Sequence, residues 1–378
     1  MLIRFVTALL LGLAIATSGN ALAQLPPDQM TSYTLSEPKP HWVYVLDSVF
    51  LAPFASKIDI VDLDAHKLLG QVNGGYLSNF EFSPDRRELY MIDTFFSRTW
   101  HGTRTDAVSI FDAKTLAYKS EIIIPPKRLL IVPKFNSTGI TPDGRFLLVA
   151  NLTPATSVSV VDLKAHKFVG EIETPGCVQV LIAGDRKFAS MCAAGSILTV
   201  QLDEAGKLKS RKESKPFFDP SKDPVFDQPV VVGTTAYFDS YHGQVHQVDL
   251  AGDEAQATAS WSAVGDDDRK KNWRPGGWET IAADEKGDQL YLLMHQGGEW
   301  THKQTGKEVW VFDARKQTRT AVIPLKTEGY SIRVSKGPQP ILQNLSLVHS
   351  LLETYSLPDG NYQGVFKDVG SAFLIYGP

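Results

Sequence analysis

The stretch Ile58-Asp-Ile-Val-Asp62-Leu-Asp-Ala-His-Lys67 returns one hundred residues later as Val158-Ser-Val-Val-Asp162-Leu-Lys-Ala-His-Lys167. A third copy, Val108-Ser-Ile-Phe-Asp112-Ala-Lys114, stands midway between them. Each copy is an alternating apolar run that ends on an acidic residue and passes into a short polar turn, as a β-strand entering a reversal does. Weaker copies end at Asp203, Asp249 and Asp313, and a degenerate one lies around Ser356. Successive copies are 50, 50, 41, 46, 64 and 43 residues apart. Upstream of several copies is a second motif, a turn followed by a strand: SPDRRELYMID from Ser83, TPDGRFLLVAN from Thr141 and ADEKGDQLYLLM from Ala283. Pro-Asp-Gly chemistry suits a tight reversal, and the Leu, Val, Tyr and Phe that follow suit a strand.

A repeat of about 40–50 residues holding several short strands predicts a β-propeller. One such unit cannot bury both of its faces alone; packing unit against unit in a closed ring covers both and limits exposed edges. Two β-sandwiches would use similar strands, but a single recurring strand-turn at regular spacing favours the ring. The expected fold is therefore all-β, a seven-bladed, WD40/YVTN-like β-propeller over residues 41–378. The preceding segment 24–40 is polar and carries Pro26, Pro27, Pro38 and Pro40, so it reads as an extended arm that wraps a partner.

Ahead of the arm, Arg4 is followed by an uncharged run, Phe5–Thr17, and then by Ala21-Leu22-Ala23. A positive lead, a short apolar run and an A-x-A exit predict a secretory signal over residues 1–23, cleaved after Ala23. The run is shorter than the ~18 residues a membrane span needs. The expected product is exported, with no membrane span. Its 38 Lys+Arg against 42 Asp+Glu leave no cationic excess for a nucleic-acid partner.

The sequence holds no G-x-S-x-G, H-E-x-x-H or Walker A motif, and no convergent acid–base set. His66 and His166 occupy equivalent repeat positions, which argues for turn structure over paired ligands. Asp266–Asp268 reads as a solvated turn or helix start, neutralised by Arg269, Lys270 and Lys271. No metal site is expected. Cys177 and Cys192 sit at the start of one strand and the end of the next, where a hairpin could join them in a disulfide. The long spacing between Asp249 and Asp313 marks an insertion containing Trp273, Arg274 and Trp278, and Trp300 lies in a second unusual loop. Trp and Arg in long loops are favoured at protein interfaces, so these four residues are candidate partner contacts.

Loops and repeats together resemble the heavy subunit of the quinoprotein amine dehydrogenases, the methylamine and aromatic amine dehydrogenases. The resemblance rests on VYVLDSVF (43–50), SRTWHGTRTDAVSIFD (97–112), IPPKR (124–128), TPATSVSVVD (153–162), the Cys177/Cys192 pair, DDDRKKNWRPGGWE (266–279) and THK (301–303). It covers essentially the whole mature chain, and the DSVF, PPKR and PATS stretches look closer to the aromatic-amine branch. It implies a periplasmic heterotetramer of two heavy and two light subunits that oxidises a primary amine to an aldehyde and ammonia. The cofactor, tryptophan tryptophylquinone, and the catalytic base would lie on a small cysteine-rich light subunit, with no catalytic residue on this chain. Electrons would pass to a blue-copper protein, azurin or amicyanin. Phe50 matches the family's Phe at the substrate channel, with Phe54 as its rival. The other reading is a non-catalytic exported propeller that binds protein without a quinone partner.

Overall fold

The recurring aspartate explains the recurring turn. In the computed structural model, which describes residues 33–49 and 52–378, Asp62 Oδ1 accepts the Ala65 N–H at 3.0 Å and Asp162 Oδ1 that of Ala165 at 2.8 Å. Asp112, Asp203, Asp249 and Asp313 accept backbone N–H groups two to four residues on in the same way. An Asx turn of this kind satisfies the first free donors after a strand and bends the chain back. Four residues after the aspartate the backbone is left-handed, at His66 (φ 49°), Leu116 (58°), His166 (50°) and Gln317 (57°). The equivalence of His66 and His166 is thus one of turn geometry.

Among the described residues the strands form seven antiparallel sheets, six of four strands and one of five. Every recurring aspartate lies at or just after the end of a third strand, counted from the axis outward, as in Lys57–Asp62, His101–Asp112 and Ser157–Asp162. The Pro-Asp turns join first to second strands, for example Thr138–Ile140 to Phe146–Asn151. Fourth strands such as Leu208–Glu213 are exposed throughout, whereas second strands such as Phe146–Asn151 are buried on both faces. Along that strand Leu147 and Val149 pack toward the second blade, while Phe146, Leu148 and Ala150 pack toward the fourth. The core is accordingly a set of seven apolar clusters, one per junction between neighbouring blades.

The ring closes through the chain's two ends. Ala372–Tyr376 is the innermost strand of the first blade, pairing with Trp42–Asp47 at Leu46↔Leu374 and Val45↔Ile375. The described part of the proposed arm lies against its own propeller: Leu35 is buried in the junction between the first two blades and donates its N–H to the Lys114 carbonyl at 2.9 Å. The rest of the arm and the signal segment lie outside the described residues. In the insertion, Asp266–Lys270 forms a short helix with Asp266–Asp268 in its first turn, and Trp273–Pro275 adds the fifth strand to the sixth sheet. Cys177 and Cys192 face each other across one hairpin and form a disulfide.

Asp162 is buried and also receives the Arg145 guanidinium at 3.2 Å. Asp162→Ala should therefore cost about 1–3 kcal/mol in urea unfolding. His166→Gly should cost nothing and could add up to about 1 kcal/mol, because glycine accepts the left-handed backbone. Equal losses for the two variants would contradict the turn account.

Candidate functional site

In a sequential antiparallel blade, the links from second to third strands and from one blade to the next emerge on a single face of the ring. Phe54, Trp100, Leu152, Trp300 and Val348 all lie in second-to-third links and are among the exposed large apolar residues. The other exposed large apolar residues of the described blades lie on outer strands or, as Phe95, at the base of the Trp100 hairpin. None lies in the turns of the opposite face. Exposed apolar side chains collected on one face are what a docking surface presents.

Two ridges stand out on that face. In the second blade, Glu88–Arg98 and His101–Asp112 form a long hairpin that carries Trp100 at its tip, 63% exposed. Its indole lies 5.6 Å, centroid to centroid, from the ring of Phe54. Phe54 belongs to the loop after Trp42–Asp47, and Phe50 of the same loop lies outside the described residues. In the sixth blade, Trp300 is 64% exposed, close to Tyr241. Tyr241 in turn stacks on His302 at 3.9 Å. Burial lowers the pKa values of His295, to about 4, and of His302, so both rings are neutral at ordinary pH.

The Phe54 loop is held from beneath by a buried polar network. Ser56 and Gly74 exchange backbone bonds with the neighbouring strand link, through Ser56 N–H to the Gly75 carbonyl and Gly74 N–H to the Ser56 carbonyl, and Leu77 N–H donates to the Pro53 carbonyl. Gly75 is required by closeness, since a Cβ there would meet the Thr94 carbonyl oxygen at 2.5 Å. Asp93 accepts from Gly75 N–H, Ser78 Oγ and Ser109 Oγ. Arg128, the arginine of IPPKR, is 1% exposed and donates to the Tyr76 and Leu77 carbonyls, Asn79 Oδ1 and Thr94 Oγ1. Its own N–H donates to Asp106, which also takes a two-pronged contact from Arg104. Desolvation lowers the Arg128 pKa to about 10, with Asp106 and Asp93 opposing it, so the guanidinium stays charged. Arg128 thus ties the second and third blades to the segment that supports Phe54.

The four expected contact residues are not one patch. Trp300 is exposed, and half-buried Arg274 lines a small recess with it, Tyr241 and His302. Trp273 is half-buried against Trp310, 5.3 Å away, within the sixth blade. Trp278 lies where the inner strands converge. Its Nε1–H donates to the Pro133 carbonyl at 3.0 Å, its carbonyl accepts from Gln228, and its ring meets Tyr330 and Phe373. Lys303 Nζ stands 4.3 Å from that ring's centroid. Trp100 and Arg128 lie in stretches that carry the family resemblance, and for Trp100 the sequence sign is a Trp at the tip of a long alternating hairpin. Among the described residues, no group of three or more His, Cys, Asp and Glu is placed to hold a metal ion, and no helix is long and apolar enough to cross a membrane.

The profile of the methylamine dehydrogenase heavy chain family matches residues 40–376. The chain belongs to that family. It is 29% identical to the methylamine dehydrogenase heavy chain of Methylophilus methylotrophus, over 96% of this chain and 93% of that one. It is 28% identical to the heavy chain of Methylorubrum extorquens, over 87% and 80% respectively. These relatives carry the methylamine name, and the aromatic-amine branch finds no support among them. Solved structures similar in fold include a protein of unknown function from Desulfotomaculum acetoxidans (TM-score 0.61, 13% identity, 89% of this chain and 99% of that one). Dihydro-heme d1 dehydrogenase is another (TM-score 0.55, 14% identity, 94% and 78%). At such identities they speak to the fold alone.

Removing the Arg128 side chain leaves Asn79 Oδ1 and the Tyr76 and Leu77 carbonyls without their donor. Arg128→Ala should cost about 3–5 kcal/mol in equilibrium unfolding. A loss under 1 kcal/mol would show that the network does not hold the two blades to the loop.

Proposed function

We propose that this chain is the heavy subunit of a periplasmic quinoprotein amine dehydrogenase, inert alone and functional only against a small light subunit. The observation that carries the reading is the gathering of exposed Phe54, Trp100, Leu152, Trp300 and Val348 on one face, in a chain of the heavy chain family. Aromatic anchors on rigid hairpins suit a stable protein interface, and Trp and Arg dominate such contacts. Trp300 and Arg274 remain contact candidates, with Trp100 added to them. Trp273 and Trp278 act from beneath as packing supports.

In this reading two heavy and two light subunits assemble. Tryptophan tryptophylquinone, on the light subunit, supplies the electrophilic carbonyl and the electron sink for a primary amine, which leaves as aldehyde and ammonia. Electrons pass on singly to a blue-copper protein, azurin or amicyanin. The heavy chain covers the amine's path and excludes water. In a dry site, the fixed charges and dipoles that assist proton abstraction act more strongly. Phe50 or Phe54, in a loop braced by Ser56, Leu77 and Arg128, sets the width of that path. The buried scaffold of Asp93 and Arg128 holds the strand link beneath that loop in place.

The test is made on the assembled enzyme. Phe50→Ala and Phe54→Ala should shift the ratio of kcat/KM between bulky and small primary amines while leaving assembly intact. Selectivity unchanged in both variants would remove this loop from the amine's path. Trp100→Ala and Trp300→Ala should weaken light-subunit binding by about 2 kcal/mol each, some thirtyfold. Unaltered affinity in both would move the interface off this face.

A further inference from the structure

We propose that the axial cavity at the opposite face of the ring, lined by Arg86, Arg333 and Lys336, binds a small multivalent anion bearing carboxylate or oxyanion oxygens. Arg86 lies in the Ser83 turn of the second blade, Arg333 on the inner strand Ser331–Val334 of the seventh, and Lys336 in the turn that follows. They border one cavity of about 590 Å³, together with Glu81, Tyr376 and Gly377. Arg333 and Lys336 also border an adjoining cavity of about 440 Å³ that reaches Glu279 and Glu285.

Three observations assign a ligand to this place. Some half-buried cations elsewhere are paired with acids, as Arg104 is with Asp106 and Lys57 with Asp59. Among the described residues, no carboxylate lies within 4.0 Å of Arg86, Arg333 or Lys336. Arg86 stacks on Phe82 at 4.4 Å, and Arg333 donates to Gln343 Oε1 at 3.1 Å, which leaves most of their N–H groups unengaged. Second, burial holds back the ionisation of the two buried acids beside the cations, Glu81 and Glu279. It raises Glu81 to about 7 and Glu279 well above the ordinary carboxyl range; burial also lowers Arg86, Arg333 and Lys336, and Arg86 lowers the latter two further. Glu279 Oε2 is buried without a hydrogen-bond partner; protonated, it would donate to an anion's oxygen. Third, Gly377 makes the room. A Cβ at that position would fall 1.9 Å from an Arg333 guanidinium nitrogen, so the glycine lets the guanidinium lie flat along the cavity wall. Converging guanidinium groups favour multivalent oxyanions and carboxylates, which they can grip with two parallel bonds.

This site is independent of the amine chemistry proposed above, since it opens on the other face. The experiment is isothermal titration of the full chain, complexed with its light subunit, with sulfate and with citrate at constant ionic strength in chloride. We expect saturable binding of at least one probe, one per heavy chain. Arg86→Gln and Lys336→Gln, at a half-buried and an exposed position, should each weaken it at least tenfold, and the double variant should abolish it. Amine turnover should stay unchanged in all three. Failure of both probes to bind, or binding that survives both substitutions, overturns the proposal.

Discussion

A propeller blade has two apolar faces and no means of covering either one, so the ring must close before any blade is stable. Here the closing contact is the pairing of Ala372–Tyr376 with Trp42–Asp47, which seats the last strand inside the first blade. Leu374 and Tyr376 then join the cluster of Trp42, Tyr44 and Phe80, while Ala372 and Ile375 join that of Val43, Val45 and Leu345. Both junctions flanking the first blade therefore depend on one strand. That blade also carries the loop of Phe50 and Phe54, so the part of the molecule nearest the proposed amine path is the part that ring closure completes.

The architecture assigns different tasks to the ring's two faces. On one, second-to-third links project exposed aromatics, and a buried lattice of Asp93, Ser78, Ser109, Arg128 and Asp106 holds the links in place. The lattice is polar because the chain turns there, and buried backbone groups need partners wherever strand pairing stops. At the axis, Trp278 gathers segments that enter the third, fifth, seventh and first blades through Pro133, Gln228, Tyr330 and Phe373. On the other face, Asx turns seal the strand ends, and the inner strands leave a charged cavity.

The aspartate repeat was legible because one interaction, a carboxylate receiving the backbone N–H groups that follow it, recurs at nearly every third strand. The Ser356 copy reads as degenerate because serine cannot take that bond as well; Ser356 Oγ makes only a 3.4 Å contact with the Asn361 carbonyl. The helix start at Asp266 and the Cys177–Cys192 pairing were legible for equally local reasons. Trp278 was not: its partners lie up to 145 residues away, and composition ranks a half-buried axial Trp and an exposed loop Trp alike. Arg128 escaped for the same reason, its partners lying 22 to 52 residues upstream. Closure by the last strand was also hidden, because the repeat marks third strands and is silent about first ones.

The account makes the chain a rigid collar for chemistry that another polypeptide performs. The most direct test is primary-amine oxidation, followed through reduction of a blue-copper protein, by the purified chain alone and after reconstitution with a cysteine-rich, quinone-bearing light subunit. The account predicts no turnover by the isolated chain and full turnover by the complex. Amine oxidation by the isolated chain, or failure to bind any such subunit, would contradict it.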